Sequence, residues 1–300
     1  MKSYGICPAS CGEFVQGILD SEEYLSSYAI DMFSVATLEE RKENINLGPK
    51  KSRKAIEKVF ERFNIPLREC ENISLEINSS IPIGKGMASS TADIGATIKA
   101  TLSMINKDLG NEEISRIASE IEPTDSILLY KNSIFNPVKG QVKKYLANLY
   151  NARVIILEPD EILETSIIRS NPNYLDIKLE NEVIINKSFK LLEEGLRNND
   201  LKLIGKSCTL SSMANENIHK KPYLNEIIEI SNKMGAYGVN IAHSGTVIGI
   251  LIDNHMDHER IINHLKEKSF NDYYKKIHLS KIIGHKEREE IEWNTLKTLR

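Results

Sequence analysis

Residues 81–105 read IPIGKGMASSTADIGATIKATLSMI, and the reading of this stretch decides the fold. Just before it, Ile73, Leu75 and Ile77 alternate with Ser74, Glu76 and Asn78, the period of a half-buried strand. Pro82, Gly84 and Gly86 break that pattern, and small residues continue to Ser90. After Thr91 the spacing changes, with Ile94, Ile98, Leu102 and Ile105 on one helical face. The order is strand, glycine loop, helix. A helix N-terminus presents unpaired N–H groups and the positive end of its dipole, and glycines let a phosphate approach the backbone. Ser89 and Ser90 stand where the helix should begin, within reach of an anion or its metal ion. A plain turn with a serine cap has the same pattern. No Gly-Lys-Ser/Thr follows at Walker A spacing, and Gly84-Lys85-Gly86 lacks the third glycine of a dinucleotide fingerprint.

Upstream, residues 4–19 (YGICPASCGEFVQGIL) suggest strand, tight turn, strand, because Pro8, Gly12 and Gly17 punctuate an apolar run. Residues 24–38 are strand-like, with Asp31 between Ile30 and Met32, facing solvent or lining a pocket. Ala55, Ile56, Val59, Phe60 and Phe63, after Pro49 and Ser52, predict an amphipathic helix. Downstream, a helix from about Asn111 turns Ile114, Ile117, Ala118 and Ile121 inward and ends against Pro123. There, in Ile121-Glu122-Pro123-Thr124-Asp125-Ser126, two carboxylates three residues apart can point into one place. Phosphoryl transfer uses one carboxylate to hold Mg²⁺ and often another to orient or deprotonate the attacking hydroxyl. A turn with solvated acids is the alternative.

Residues 131–142 read as irregular, followed by a short helix and a strand at 154–157. A lobe boundary near 148–152 divides the chain into 1–150 and 151–300. Helices are expected over 182–197, 201–214 and 223–234. Residues 235–253 (GAYGVNIAHSGTVIGILID) read as strand, tight turn at 242–245, strand, where small residues suit close approach to a ligand. A helix over 255–268, a strand-like segment near 273–279 and a charged helix from His285 close the chain. Glu287, Arg288, Glu289, Glu290 and Glu292 read as its solvated face.

Three hundred residues with 41% apolar and 27% charged content suit a protein of about two domains. A net charge of −3 argues against a nucleic-acid partner. No apolar run approaches a membrane span and MKSYGICPAS has no h-region, so a cytoplasmic protein without a membrane partner is expected. Cys7, Cys11, Cys70 and Cys208 are too scattered for a disulfide framework. Cys7 and Cys11 are not spaced as C-x-x-C and no matching pair follows, and His255-x-x-His258, a weak hint of zinc, reads better as polar residues near the start of a surface helix. A homodimer stays open.

Residues 82–92 (PIGKGMASSTA) resemble the P-x-G-x-G-L-G-S-S-A-A phosphate loop of the GHMP kinases, the galactose, homoserine, mevalonate and phosphomevalonate kinase superfamily. Ala88 departs from the usual glycine and Lys85 is uncommon there. Residues 7–17 (CPASCGEFVQG) lie where that superfamily has its first motif, with Gln16 at the usual Glu position, and Ala242-His243-Ser244-Gly245 lies where it has its third. Together CPASCGEFVQG, GMASSTAD, EPTDS and AHSG resemble the L-threonine kinase branch, which serves the aminopropanol arm of cobalamin synthesis.

The resemblance implies an α+β, two-lobed GHMP kinase fold, with an S5-like N-terminal lobe, a ferredoxin-like C-terminal lobe and the site between them. It implies ATP and Mg²⁺ as cofactors and a small-molecule acceptor. Pro82, Gly84, Lys85, Gly86, Met87, Ala88, Ser89, Ser90, Ser244 and Gly245 would then meet the ATP phosphates. Ser89 and Glu122 would hold Mg²⁺, with Glu120 as a second candidate, and Asp125 would be the catalytic carboxylate. Glu13, Gln16, Asp31 and His243 would bind the substrate, Glu13 or Asp31 taking its ammonium group and the His243-Ser244 turn or backbone N–H groups its carboxylate. L-Serine, homoserine or ethanolamine are alternative acceptors, since a methyl group is worth only about 1–3 kcal/mol of discrimination. A non-catalytic sensor of the same fold is a further alternative, against which Ser89, Glu122 and Asp125 speak.

Overall fold

Two long antiparallel strands carry the fold in the computed structural model, which describes residues 1–41, 47–163, 168 and 173–299. They are β1 (Lys2–Leu19) and β2 (Glu22–Glu40). Asp20 and Ser21 join them at φ of 51° and 66°, the left-handed pair that matches strand twist in a two-residue hairpin. The turn expected inside residues 4–19 is absent. The strand runs through and absorbs Pro8 and Gly12 as bulges, with register shifts between Pro8 and Ala9 and on both sides of Glu13. Proline cannot donate to a ladder and glycine accepts positive φ, so both residues suit a bulge as well as a turn.

After α1 (Lys50–Arg62) and β3 (Ile73–Ser79), which pairs with β2, the glycine loop leads into α2 (Ser89–Met104). The sequence marks a single apolar face on α2, but the helix is buried on nearly every side. Thr97 and Thr101 are wholly buried and donate back to the carbonyls of Asp93 (2.7 Å) and Thr97 (2.8 Å), so no hydroxyl is stranded. Gly5 of β1 lies so close that a Cβ there would stand 2.0 Å from the carbonyl oxygen of Ala96. Strand and helix therefore meet backbone to backbone, which fixes where α2 begins. Full burial of Ile94 and Ile98, each worth about 1.5–3 kcal/mol, holds it there.

Then come α3 (Asn111–Ser119) and a hairpin of β4 (Ser133–Asn136) and β5 (Gln141–Tyr145), where the sequence suggests irregular chain and a short helix. Four residues are too few to show a period, and the two lysines of β5 hide its apolar alternation. The remainder is β6 (Ala152–Glu158), α4 (Tyr174–Glu180), α5 (Glu182–Asn198), α6 (Leu201–Asn215), α7 (Leu224–Lys233), β7 (Gly238–Ile241), β8 (Ile248–Asp253), α8 (His258–Lys266), β9 (Lys276–Lys281) and α9 (His285–Leu299). The expected helix at 255–268 starts later because the Asp257 side chain caps it, accepting from the Arg260 N–H.

The described strands form one mixed-origin sheet in the order β5-β4-β2-β1-β7-β8-β6-β9, with β3 added on β2. Its two halves meet where Glu13 of β1 pairs with Ile241 of β7. One apolar core lies around α2, and a second lies between β6–β9 and helices α7 and α8.

The last helix corrects its sequence reading. Arg288 and Glu292 are 1% and 6% exposed and pair at 2.7 Å. Glu292 also accepts from Lys99 (2.9 Å) and Tyr130, while Arg288 donates to the carbonyls of Ile127 and Leu129. An i,i+4 ion pair turned inward looks the same in sequence as one turned outward.

Candidate active site

The glycine loop is joined to both halves of the chain. The N–H groups of Ser10 and Gly12 donate to the carbonyls of Met87 and Gly86, both at 3.2 Å. From the other side, the N–H groups of Thr246 and Val247 donate to the Lys85 carbonyl at 2.9 and 3.2 Å. Gly86 and Gly245 touch: a Cβ on Gly245 would stand 2.3 Å from the Cα of Gly86. Only residues without side chains permit that approach. The segments around Gly12, Gly86 and Gly245, far apart in sequence, thus form one surface.

Ala88 ends the loop as the N-cap of α2, at φ 57° and ψ 28°, and no side chain caps the helix. Its first N–H groups therefore have no side-chain acceptor, and they and the dipole can receive an external anion. The Lys85 ammonium is not committed to such an anion. It donates to the carbonyls of Pro159 (2.7 Å), Asp160 (2.9 Å) and Glu161 (2.7 Å), pinning the loop to the chain after β6.

Ser90, rather than Ser89, carries the hydroxyl that donates to Glu122. Lys51 pairs with the other oxygen of Glu122 at 2.5 Å, whereas Glu120 pairs with Lys58 and is largely exposed. Asp93, one turn into α2, accepts from Ser34; burial and then the charge of Glu122 raise its carboxyl above the usual range, against the Ser34 hydrogen bond.

Asp125 is held against the first turn of α2. Its N–H donates to Thr91 Oγ1 (3.3 Å), its carboxylate accepts from Ser27, and Ser126 accepts from the Ser27 N–H at 2.9 Å. Desolvation, followed by the nearby charge of Glu13, pushes Asp125 up to about 7 from 3.8. It is half-buried, so a substrate can still reach it.

Glu13 accepts from both the N–H (3.0 Å) and Nδ1 (2.8 Å) of His243. The other ring nitrogen meets Ser211 at 2.9 Å, and Ser211 accepts from the Gln16 N–H. A neutral imidazole protonated on Nδ1 satisfies every member of that chain. Both nitrogens of His243 are therefore used inside the protein. The Gln16 amide donates to Glu23 (2.9 Å), and Ser244 is half-buried at the tip of the turn. Asp31 stands apart: it is exposed and accepts from the Lys281 N–H at 2.9 Å.

Sequence reasoning missed Ser27, Lys51, Asp93, Ser211, His219 and Lys221. Burial followed by the charge of Lys221 lowers His219 to about 4, against the opposing pull of the Gly245 backbone. Ser27, Lys51, Asp93 and Ser211 gain their partners from distant elements, and only the fold brings the 216–223 connection of His219 and Lys221 to the site.

Comparison with known proteins identifies the family. Residues 50–128 match the GHMP kinases N terminal domain and residues 192–271 the GHMP kinases C terminal domain. The chain is 30% identical over 279 residues to the L-threonine kinase of Salmonella typhimurium, covering 92% of each chain. It is 27% identical over 278 residues to the L-threonine kinase of Citrobacter freundii, covering 92% of this chain and 96% of that one. The homoserine kinase structure from Cytophaga hutchinsonii shares the fold with a TM-score of 0.71 at 18% identity, covering 94% of this chain and 95% of that one. The chain belongs to the GHMP kinases and is a kinase acting on a hydroxyl acceptor.

Proposed function

We propose that the chain is an L-threonine kinase, transferring the γ-phosphoryl group of ATP to the side-chain hydroxyl of L-threonine to give O-phospho-L-threonine. The observation that carries this reading is Asp125, a carboxyl near neutrality held by Ser27 and Thr91 beside the first turn of α2. A general base works best with a pKa near the operating pH. In the proposed step the threonine oxygen forms its bond to the γ-phosphorus as the bond to the ADP oxygen breaks, and Asp125 receives the hydroxyl proton. Most of the catalysis then comes from positioning and charge stabilisation.

The uncapped N-terminus of α2, the Gly84–Ala88 backbone, Ser89 and the Ser244-Gly245 turn supply donors for the phosphates. Ser90 and Glu122 form the oxygen donor set that suits Mg²⁺, which takes one or two carboxylates and completes its shell with water and substrate phosphates. When bound there, the ion would neutralise charge on the transferring phosphoryl group. Lys51, already on Glu122, would stand beside the same oxygens. Threonine as acceptor draws its support from the two L-threonine kinases.

The test is ADP release from Mg-ATP with L-threonine, L-serine, L-homoserine and ethanolamine in parallel. The expected result is a strong preference for L-threonine with O-phosphothreonine as product. Preference for another acceptor would overturn the substrate, and no turnover with any would overturn the reading.

A further inference from the structure

Lys221 lies in the 216–223 connection between α6 and α7 and is 1% exposed. Lysine is almost never fully buried unless its charge is paired. Yet the one hydrogen bond of its ammonium among the described residues is a long contact to the His219 carbonyl at 3.5 Å. The acids around it are engaged elsewhere. Glu216 accepts from the backbone N–H of Lys221 itself (2.8 Å), Glu13 from His243, and Glu161 from the Tyr273 hydroxyl. An ammonium with three donors and one weak acceptor keeps hydrogen-bonding capacity for an anion.

The connection is not a loose surface loop. The N–H groups of Ile218 and His219 donate to the Asn215 carbonyl at 2.9 and 3.0 Å, and the Leu224 N–H donates to the Lys221 carbonyl at 3.2 Å. Buried Tyr274 donates its hydroxyl to the Pro222 carbonyl at 2.9 Å. The backbone that carries the cation is therefore fixed before any ligand arrives. It also lies beside the site: Asn215, whose carbonyl holds the Ile218 and His219 N–H groups, donates its side-chain amide to the His243 carbonyl at 3.3 Å, and the charge of Glu13 acts on both Lys221 and Asp125. Other cations near the loop are committed, Lys85 to three carbonyls and Lys51 to Glu122.

We propose that Lys221 binds the carboxylate of a hydroxy-amino-acid acceptor, an inference that rests on the acceptor class given under Proposed function. It replaces the His243-Ser244 turn as the recognition point for that carboxylate, since both ring nitrogens of His243 are taken. Burial, only partly offset by Glu216, Glu13 and Glu161, lowers the Lys221 ammonium to about 7, which agrees with a charge awaiting its partner.

The test compares L-threonine with 1-amino-2-propanol, the same amino alcohol without the carboxylate, in the wild type and in Lys221→Met. Methionine keeps the volume and removes the charge, and a melting curve checks that the variant is folded. The expected result is a rise of about 10- to 100-fold in KM for L-threonine, the range of a lost charge-assisted hydrogen bond. kcat/KM for 1-amino-2-propanol should stay near its wild-type value. Equal losses with both acceptors would overturn the inference and assign the ammonium to the phosphoryl group. Unchanged kinetics with both would overturn it outright. A wild type inactive with both acceptors would instead overturn the reaction itself.

Discussion

Two clusters of ionisable groups sit out of bulk water in this chain, and their pKa values move in opposite directions. In the first, Arg288, Glu292, Lys99 and Tyr130 clamp α9 to β1 and α2. Burial alone would raise Glu292, but Arg288, Lys99 and Tyr130 together hold it down to about 2, and Arg288 stays charged. In the second, around Glu13, Asp125 rises to about 7 and Lys221 falls to about 7, because desolvation outweighs the partners present. Burial is common to both clusters; the difference lies in contact between opposite charges. The first is a finished structural joint. In the proposed reading the second keeps groups poised for proton transfer and ligand binding, as expected where chemistry is done.

The comparison is broken or sharpened most strongly by Asp125→Asn. Loss of a general base lowers kcat by about 10²- to 10⁴-fold, while ATP binding, followed by calorimetry, should persist. Stability should move the other way. With its pKa raised from 3.8 to about 7, the folded state retains a proton that the unfolded state releases, so this group costs stability fully above pH 7 and not at all below its unfolded value. The variant should therefore melt higher than wild type at pH 7.5, and equal turnover would remove Asp125 from the mechanism.

Glu292→Gln probes the other cluster and should do the reverse. Leaving Arg288 and Lys99 without a carboxylate costs about 3–5 kcal/mol, read by urea denaturation, with kcat near wild type. The contribution of Glu292 is present above its unfolded value of 4.5 and is lost as pH falls toward about 2, so variant and wild type should converge in acid.

Gly86→Ala brings a Cβ to 2.3 Å from that of Ala242 and should weaken ATP binding by about 1–3 kcal/mol through a displaced loop. The smallest effect is expected from Ala88→Gly. Relief of a left-handed alanine, less the entropy of glycine, should raise stability by up to about 1 kcal/mol with activity retained.

The second cluster was half legible in sequence and the first was not. Gly84, Gly86 and the Glu122/Asp125 pair announce themselves because loop, helix start and helix end are local features. Glu13 and His243 could be named, but not their contact, which needs β1 beside β7. Ser27 and Lys221 were out of reach, since a serine in a strand and a lysine in a His-Lys-Lys-Pro run look like surface. Arg288 and Glu292 were misread for the same reason: a helix pattern rich in charge does not say which face meets the core. The long helices and β2 came through because their periods repeat. The Pro8 and Gly12 bulges did not, because bulge and turn use the same residues.

The measurement that tests the account most directly is the pH dependence of kcat/KM for L-threonine in the wild type from pH 5.5 to 8. If Asp125 must be ionised to take the proton, log kcat/KM rises with unit slope below about pH 7, and loss of the Lys221 proton above about pH 7 turns the profile down instead of leaving a plateau. A profile with no acid limb across that range would contradict the assignment of Asp125 as the base.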